Sequence, residues 1–364
     1  MKALDDWWYA RKDELIALAG KECPLYVFNE ETYNEVFFDL LSIDAIDNLF
    51  FPLNAAFHPE IIRKAYELDM GFKCISSDEL DELLEAFPKL NPQRILFFPD
   101  NVNADNLKHV FNQGTHVVVN EQYFLKAGSG SFQNRTFFIS GNWVNGQRIN
   151  ELHKRSVNGF YIQPKTNLAS SFDPTEMISF LDKASWHFPE ASMLILGNNV
   201  CESELCENSI LNIQRLGCCL ETIKDAYPQF QLWLELPVFM VSCAGVLLAK
   251  ILETGEAEGI RYIKMNIDMK AYDHDGLFGA CHQIINLSKP NDGETIMMIK
   301  IFGQDKGSGN MILVTNAPAS VVAGDILLFM KMGAYGPGIG AGNIRASPVP
   351  AYFLSARRLC SVKI

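Results

Sequence analysis

The chain has 364 residues, too many for one small core, so a large domain with a smaller companion is expected. Hydrophobic residues make up 48% and charged residues 20%, a globular mixture that excludes a disordered chain. The formal net charge of −12 disfavours nucleic acid and anionic membrane as partners, because both require a basic face.

Met1–Trp8 lacks the apolar centre of a signal peptide, and no apolar run approaches the roughly 20 residues needed to span a bilayer. A cytoplasmic protein is expected. The nine cysteines are scattered. Their tight groupings, Cys201/Cys206 and Cys218-Cys219, have no matching second pair and no nearby histidine, so no metal site is expected and the thiols are read as reduced.

Short apolar runs rich in β-branched and aromatic residues then recur along the chain. Strands are expected at Leu49–Asn54, Phe72–Ser76, Ile95–Pro99, His116–Asn120, Phe137–Ser140, Gly159–Gln163, Met193–Gly197 and Leu232–Glu235. Helix signals fall between them. Pro59 stands at a first-turn position ahead of Ile61, Ile62, Ala65 and Leu68. Ser76-Ser-Asp-Glu79 has capping-box spacing before Leu80, Leu83 and Leu84, and Asp173-Pro-Thr-Glu176 opens another helix in the same way. Gly141–Val157 breaks every pattern and reads as a loop or insertion. Alternating strands and helix-length spacers define an α/β chain with a (β/α)8 TIM-like barrel.

After Glu235 the texture changes. Val238–Leu252, Ile260–Ile267, Thr295–Phe302, Met311–Thr315 and Ala323–Lys331 are β-like or buried, with glycine-rich turns between several of them. The expected organisation is an N-terminal helix and strand over 1–30 that join a β-domain, the barrel over 31–236, and a mostly-β domain over 237–364.

The segment Asn48-Leu-Phe-Phe-Pro-Leu-Asn54-Ala-Ala-Phe-His-Pro-Glu60 resembles the signature aromatic-Ala-x-Lys-Ala-Asn-x-x-Pro of the fold type III pyridoxal-phosphate decarboxylases. Trp7-Trp8-Tyr-Ala-Arg-Lys, Pro24-Leu-Tyr-Val-Phe-Asn-Glu-Glu31, Glu67-Leu-Asp-Met-Gly-Phe-Lys73-Cys-Ile-Ser76, Leu232-Trp-Leu-Glu235, Ala244-Gly-Val-Leu-Leu-Ala249 and Gly333-Ala-Tyr335-Gly336 match the same family in the same order. The resemblance covers nearly the whole length. It is greatest to diaminopimelate decarboxylases, in particular those fused behind an aspartate kinase, the lysine-biosynthesis type.

The resemblance also implies a site, and the chain departs from it repeatedly. The family lysine that holds the cofactor as an imine is Asn54 here, and an amide cannot form that bond. The carboxylate that faces the pyridine nitrogen corresponds to Glu235, but the Gly and Arg of that turn are Pro237 and Val238. The Gly-Gly-Gly phosphate turn corresponds to Gly197-Asn198-Asn199, where side chains would obstruct backbone contact with a phosphate. The stacking histidine corresponds to Gln163. The Cys-Glu pair corresponds to Gly303 and Gln304, in a register that could slip by one. The carboxylate-clamping arginine segment aligns with His274–Gly279. Tyr335 remains in an intact local motif, as a phosphate contact or as a packed β-domain tyrosine.

Losses on this scale imply a degenerate homologue of diaminopimelate- and ornithine-type decarboxylases: a non-catalytic, binding or regulatory pseudoenzyme with no covalent cofactor. The family's dimers imply pairing with itself or with an active paralogue, and the barrel mouth could take a small ligand. Two features support an alternative. Lys73 lies in the second expected strand, where the family usually has an acidic residue; it could be the imine lysine of a rebuilt pyridoxal-phosphate decarboxylase, or simply pair with a neighbouring acid. Gly336-Pro-Gly-Ile-Gly-Ala-Gly342 could wrap a phosphate or form an exposed turn. Glu235 could equally be a carboxylate bound to backbone amides. Ser76 and Glu79 are explained by the capping box alone.

Overall fold

A computed structural model of the chain describes residues 7–56, 58–99, 104–120, 132, 135–141, 156–164, 168, 171–197, 213–257, 259–267, 283–289, 295–303, 311–334, 349–355 and 359–362. The chain begins with α1 (Trp7–Ala10), α2 (Lys12–Lys21) and a fully buried strand, β1 (Leu25–Asn29). Eight strands then follow, β2 (Asn48–Pro52), β3 (Gly71–Cys74), β4 (Ile95–Phe97), β5 (His116–Val119), β6 (Thr136–Ser140), β7 (Ser156–Ile162), β8 (Met193–Gly197) and β9 (Gln231–Glu235). They close in chain order into a parallel barrel, with β9 returning to pair with β2. Their near-continuous apolar runs suit this architecture, because a parallel barrel strand is covered on both faces.

Seven residues form one cluster inside the barrel: Phe50, Leu96, Val118, Phe138, Tyr161, Ile195 and Trp233, one from each strand except β3. On β3 the corresponding position is Gly71, where a Cβ would lie 2.6 Å from the Phe50 ring. The missing side chain makes room for that ring.

Six described helices surround the barrel: α3 (Glu30–Leu41), α4 (Pro59–Glu67), α5 (Ser77–Ala86), α6 (Ala104–Gln113), α7 (Pro174–His187) and α8 (Ile213–Ala226). Four of them, α3, α4, α5 and α7, begin where a side chain satisfies a free backbone N–H group. Ser76 Oγ accepts from Glu79 N at 3.2 Å, and Glu79 Oε2 accepts from Ile75 N at 2.7 Å. Asp173 caps α7 by accepting from Thr175 N. His58 caps α4 by accepting from Glu60 N on its Nδ1. No described helix is long and apolar enough to cross a membrane.

One expected strand is shortened, and one run read as β-like or buried is resolved into its parts. The first barrel strand ends at Pro52 rather than Asn54. Proline has no N–H with which to continue the ladder, and the chain turns into a short 3₁₀ helix over Leu53–Ala55. Val238–Leu252 opens not as a strand but as α9 (Pro237–Val241) and a 3₁₀ turn over Ser242–Ala244. Proline at the first helical position favours the helix, and an apolar run buried on every side reads alike in either state. Gly141–Val157 lies mostly outside the described residues, with β7 already begun at Ser156.

The mostly-β domain contains β10 (Gly245–Ala257), β11 (Ile260–Met265), β12 (Ile284–Asn286), β13 (Ile296–Phe302), β14 (Met311–Pro318), β15 (Ile326–Phe329), β16 (Ala351–Leu354) and β17 (Leu359–Val362). The sheet runs β14-β13-β11-β10-β1-β16-β17, with β15 bridging β10 and β12. β1 lies between β10, to which it is antiparallel, and β16, to which it is parallel.

Candidate functional site

Parallel barrels present functional groups at the carboxyl ends of their strands. At that end Lys73 stands two residues beyond Gly71 on β3, and Glu235 two residues beyond Trp233 on β9. Both strands flank β2: Phe50 pairs with Glu235 on one side and Pro52 with Lys73 on the other. Barrel closure therefore brings an amine and a carboxylate together across β2. The Lys73 Nζ donates to Glu235 Oε1 at 2.7 Å, and the phenol of Tyr161, on β7, donates to Glu235 Oε2 at 2.9 Å. Nζ is also 3.4 Å from the Tyr161 oxygen. Glu235 is 2% exposed and the Lys73 side chain 11%, so the pair is nearly dry.

The aromatic rings of Phe98 and Tyr161 lie 5.6 and 5.5 Å from Nζ, close enough for their faces to stabilise the ammonium. Gly197 ends β8 and pairs with Glu235. A Cβ there would lie 2.2 Å from the Tyr161 oxygen and 2.6 Å from the ring, so the phenol takes up the open side of this glycine.

Asn54 sits on the 3₁₀ turn directly after β2, two residues beyond the partner of Lys73. Its Oδ1 is a buried acceptor without a hydrogen-bond partner among the described residues. Such an orphan costs about 1–3 kcal/mol. Four residues further, His58 is 2% exposed and its ring stacks on Phe353 with centroids 5.1 Å apart. Burial lowers its pKa to about 4. With Nδ1 accepting from Glu60, the neutral ring carries its proton on Nε2.

The structure thus assembles Lys73, Glu235 and Gly197 and places Asn54 beside them in register. Both oxygens of Glu235 are held by side chains. Gln163 is exposed just past β7, Gly303 is buried just past β13, and Pro237 and Val238 are buried at the start of α9. Asn198, Asn199, Gln304, Tyr335, His274–Gly279 and the Gly336–Gly342 loop lie outside the described residues. Tyr161 escaped the sequence reading. Its signal was a hydroxyl-bearing ring near the carboxyl end of an otherwise apolar strand. Among the described residues no cluster could hold a metal ion, and Cys23, Cys74, Cys218, Cys219 and Cys243 are free thiols.

No family model matches the sequence, and no curated protein matches it. Solved structures do match. A diaminopimelate decarboxylase superposes with a TM-score of 0.75 at 14% identity, covering 96% of this chain and 93% of that chain. The lysine decarboxylase from Selenomonas ruminantium gives 0.73 at 15% identity, covering 95% and 96%. The arginine decarboxylase of Paramecium bursaria Chlorella virus, bound to agmatine, gives 0.74 at 14% identity, covering 95% and 100%. The chain has the fold of the fold type III pyridoxal-phosphate decarboxylases: a (β/α)8 barrel followed by a mostly-β domain. At these identities the likeness establishes the fold, and any function has to be argued from the site.

Proposed function

We propose that this chain is a non-catalytic relative of the diaminopimelate- and ornithine-type decarboxylases, a binding or regulatory protein that holds no covalent pyridoxal phosphate. One observation carries the reading: the carboxylate that would face the pyridine nitrogen already has both oxygens occupied, by Lys73 and Tyr161. Two further features agree. Position 54 offers no amine, and the open side of Gly197, where a phosphate would need bare backbone, is filled by the Tyr161 ring. The described residues therefore do not fit the cofactor in the position that the resemblance implies. Incubation with pyridoxal phosphate should give no site-specific imine absorbance band, and borohydride should fix label only on scattered exposed lysines, with none on Lys73.

A second reading, a pyridoxal-phosphate decarboxylase rebuilt on Lys73, is favoured by register: Lys73 pairs with Pro52, so its amine stands on the strand next to position 54. It requires the ion pair to break and Tyr161 to leave Gly197. The same incubation separates the two, since this reading expects the label on Lys73.

Assembly as a homodimer, or as a heterodimer with an active paralogue, belongs to the same proposal. It is supported by Ile296 and Met298, 65% and 61% exposed on β13, beside exposed Val314 on β14. Size exclusion and pull-down with an active decarboxylase test it; a strict monomer that ignores the enzyme refutes it. The free thiols of the described cysteines support a cytoplasmic setting.

A further inference from the structure

We propose that Lys73 captures short carbonyl compounds, aldehydes or 2-oxo acids, as a reversible imine, with Glu235 and Tyr161 moving the protons. This names the ligand class of the barrel mouth and rests on the reading that the mouth does not hold pyridoxal phosphate.

The inference starts from a cost. The layer below the cluster is apolar apart from the Trp233 indole N–H, which donates to Gln231, and the Tyr161 hydroxyl itself, and a buried ion pair is commonly no more stabilising than well-packed apolar side chains of the same volume. A lysine, a glutamate and a tyrosine joined on one carboxylate at the mouth are therefore not explained by packing. Their chemistry explains them. Imine formation needs a primary amine that can shed a proton, a base beside it, and an acid that can deliver a proton to the carbonyl oxygen. Glu235 Oε1, 2.7 Å from Nζ, is the base. The Tyr161 phenol, 3.4 Å from Nζ and 2.9 Å from Glu235 Oε2, is placed to pass protons between the carboxyl group and an oxygen bound near Nζ. The 11% exposure of the Lys73 side chain leaves it reachable. Tyr161 fills the open side of Gly197 and the Phe98 ring lies 5.6 Å from the ammonium, so a ligand bulky enough to need either space would have to displace a ring, which favours short ligands.

The steps balance without any other reactant. Lys73 gives one ammonium proton to Glu235, and the Nζ lone pair forms a bond to the carbonyl carbon as the C=O π bond opens. The carbonyl oxygen takes the Tyr161 proton, and Tyr161 recovers one from Glu235. Glu235 then removes a proton from the new C–N nitrogen, giving the neutral carbinolamine. A second relay through Tyr161 protonates the hydroxyl, which leaves as water while the nitrogen lone pair closes the C=N bond. The product is a protonated imine beside an ionised Glu235, and one water has been released. Charge is conserved, and hydrolysis runs the same path backwards.

The full chain is incubated with glyoxylate, with acetaldehyde and, in parallel, with pyridoxal phosphate, each with borohydride, and the labelled peptides are mapped by mass. Glyoxylate and acetaldehyde should mark Lys73 at least about tenfold faster than exposed Lys21, Lys89 and Lys108, and Tyr161→Phe should slow that labelling by at least about tenfold, as for loss of a positioned proton donor. Label spread over the exposed lysines with Lys73 unmarked overturns the inference and leaves the proposed function standing. An unchanged rate in Tyr161→Phe overturns the relay. Pyridoxal phosphate fixed on Lys73 overturns both the size limit and the proposed function.

Discussion

The phenol of Tyr161 lies against the bare Cα of Gly197, so closely that a Cβ at residue 197 would come within 2.2 Å of its oxygen. A strand-end glycine that could admit a ligand instead admits the chain's own ring, and that ring completes the hydrogen bonding of Glu235. Gly197→Ala should force the ring aside and cost about 1–3 kcal/mol, as overpacking does. Combined with Tyr161→Leu, the alanine should cost far less than it does alone. Urea denaturation of the double-mutant cycle reads the coupling, and additive effects would count against this contact.

Lys73 and Glu235 hold each other in a nearly dry site. Lys73→Met should destabilise by about 3–5 kcal/mol, because it strands a buried carboxylate. Lys73→Met with Glu235→Gln should recover most of that loss, since an amide carries no charge and its oxygen still accepts from Tyr161. Chemical denaturation of the three variants tests this.

Restoring an amine by Asn54→Lys alone should not produce decarboxylation of meso-diaminopimelate, L-lysine or L-ornithine in the presence of excess pyridoxal phosphate. Glu235 would still be engaged, and the new ammonium would stand on the segment next to Lys73. Carbon dioxide release above that of the unaltered chain would overturn the pseudoenzyme reading.

His58 makes stability depend on pH in a defined direction. Its folded pKa is lowered from 6.5 to about 4, so the unfolded chain binds the extra proton first. Stability from this group is fully present above pH 6.5 and is lost as pH falls from there toward 4, by about 3 kcal/mol in all. Protonation at Nδ1 would also remove the cap on Glu60 N. His58→Asn keeps a capping acceptor but does not titrate in this range. Melting temperatures between pH 7 and 4 should fall less steeply for that variant.

All eight barrel strands were legible, because a strand covered on both faces is written in near-continuous apolar runs. The caps at Ser76 and Asp173 were legible for a local reason: each spans only a few residues. Helix α9 was not, since Pro237–Val241 is apolar throughout and its period is hidden. Within the site, Lys73 and Glu235 could each be singled out, but their union could not. It depends on β3 and β9 flanking β2, and the sequence does not display that adjacency until β9 meets β2. Tyr161 was hidden for the same reason, joined to Glu235 by a bond that spans 74 residues of sequence.

The placement of β1 sets an order of assembly. Tyr26 has Ala351 as its parallel neighbour, and its amide N–H donates to Pro350 O at 2.9 Å. During synthesis every barrel strand is made before either β10 or β16 exists to flank β1. The apolar segment Leu25–Phe28 therefore spends most of that time with both edges unpaired, an invitation to pair with another nascent copy. Aggregation during expression should track how long that wait lasts, so delaying the arrival of β10 and β16 is the change this chain should tolerate least.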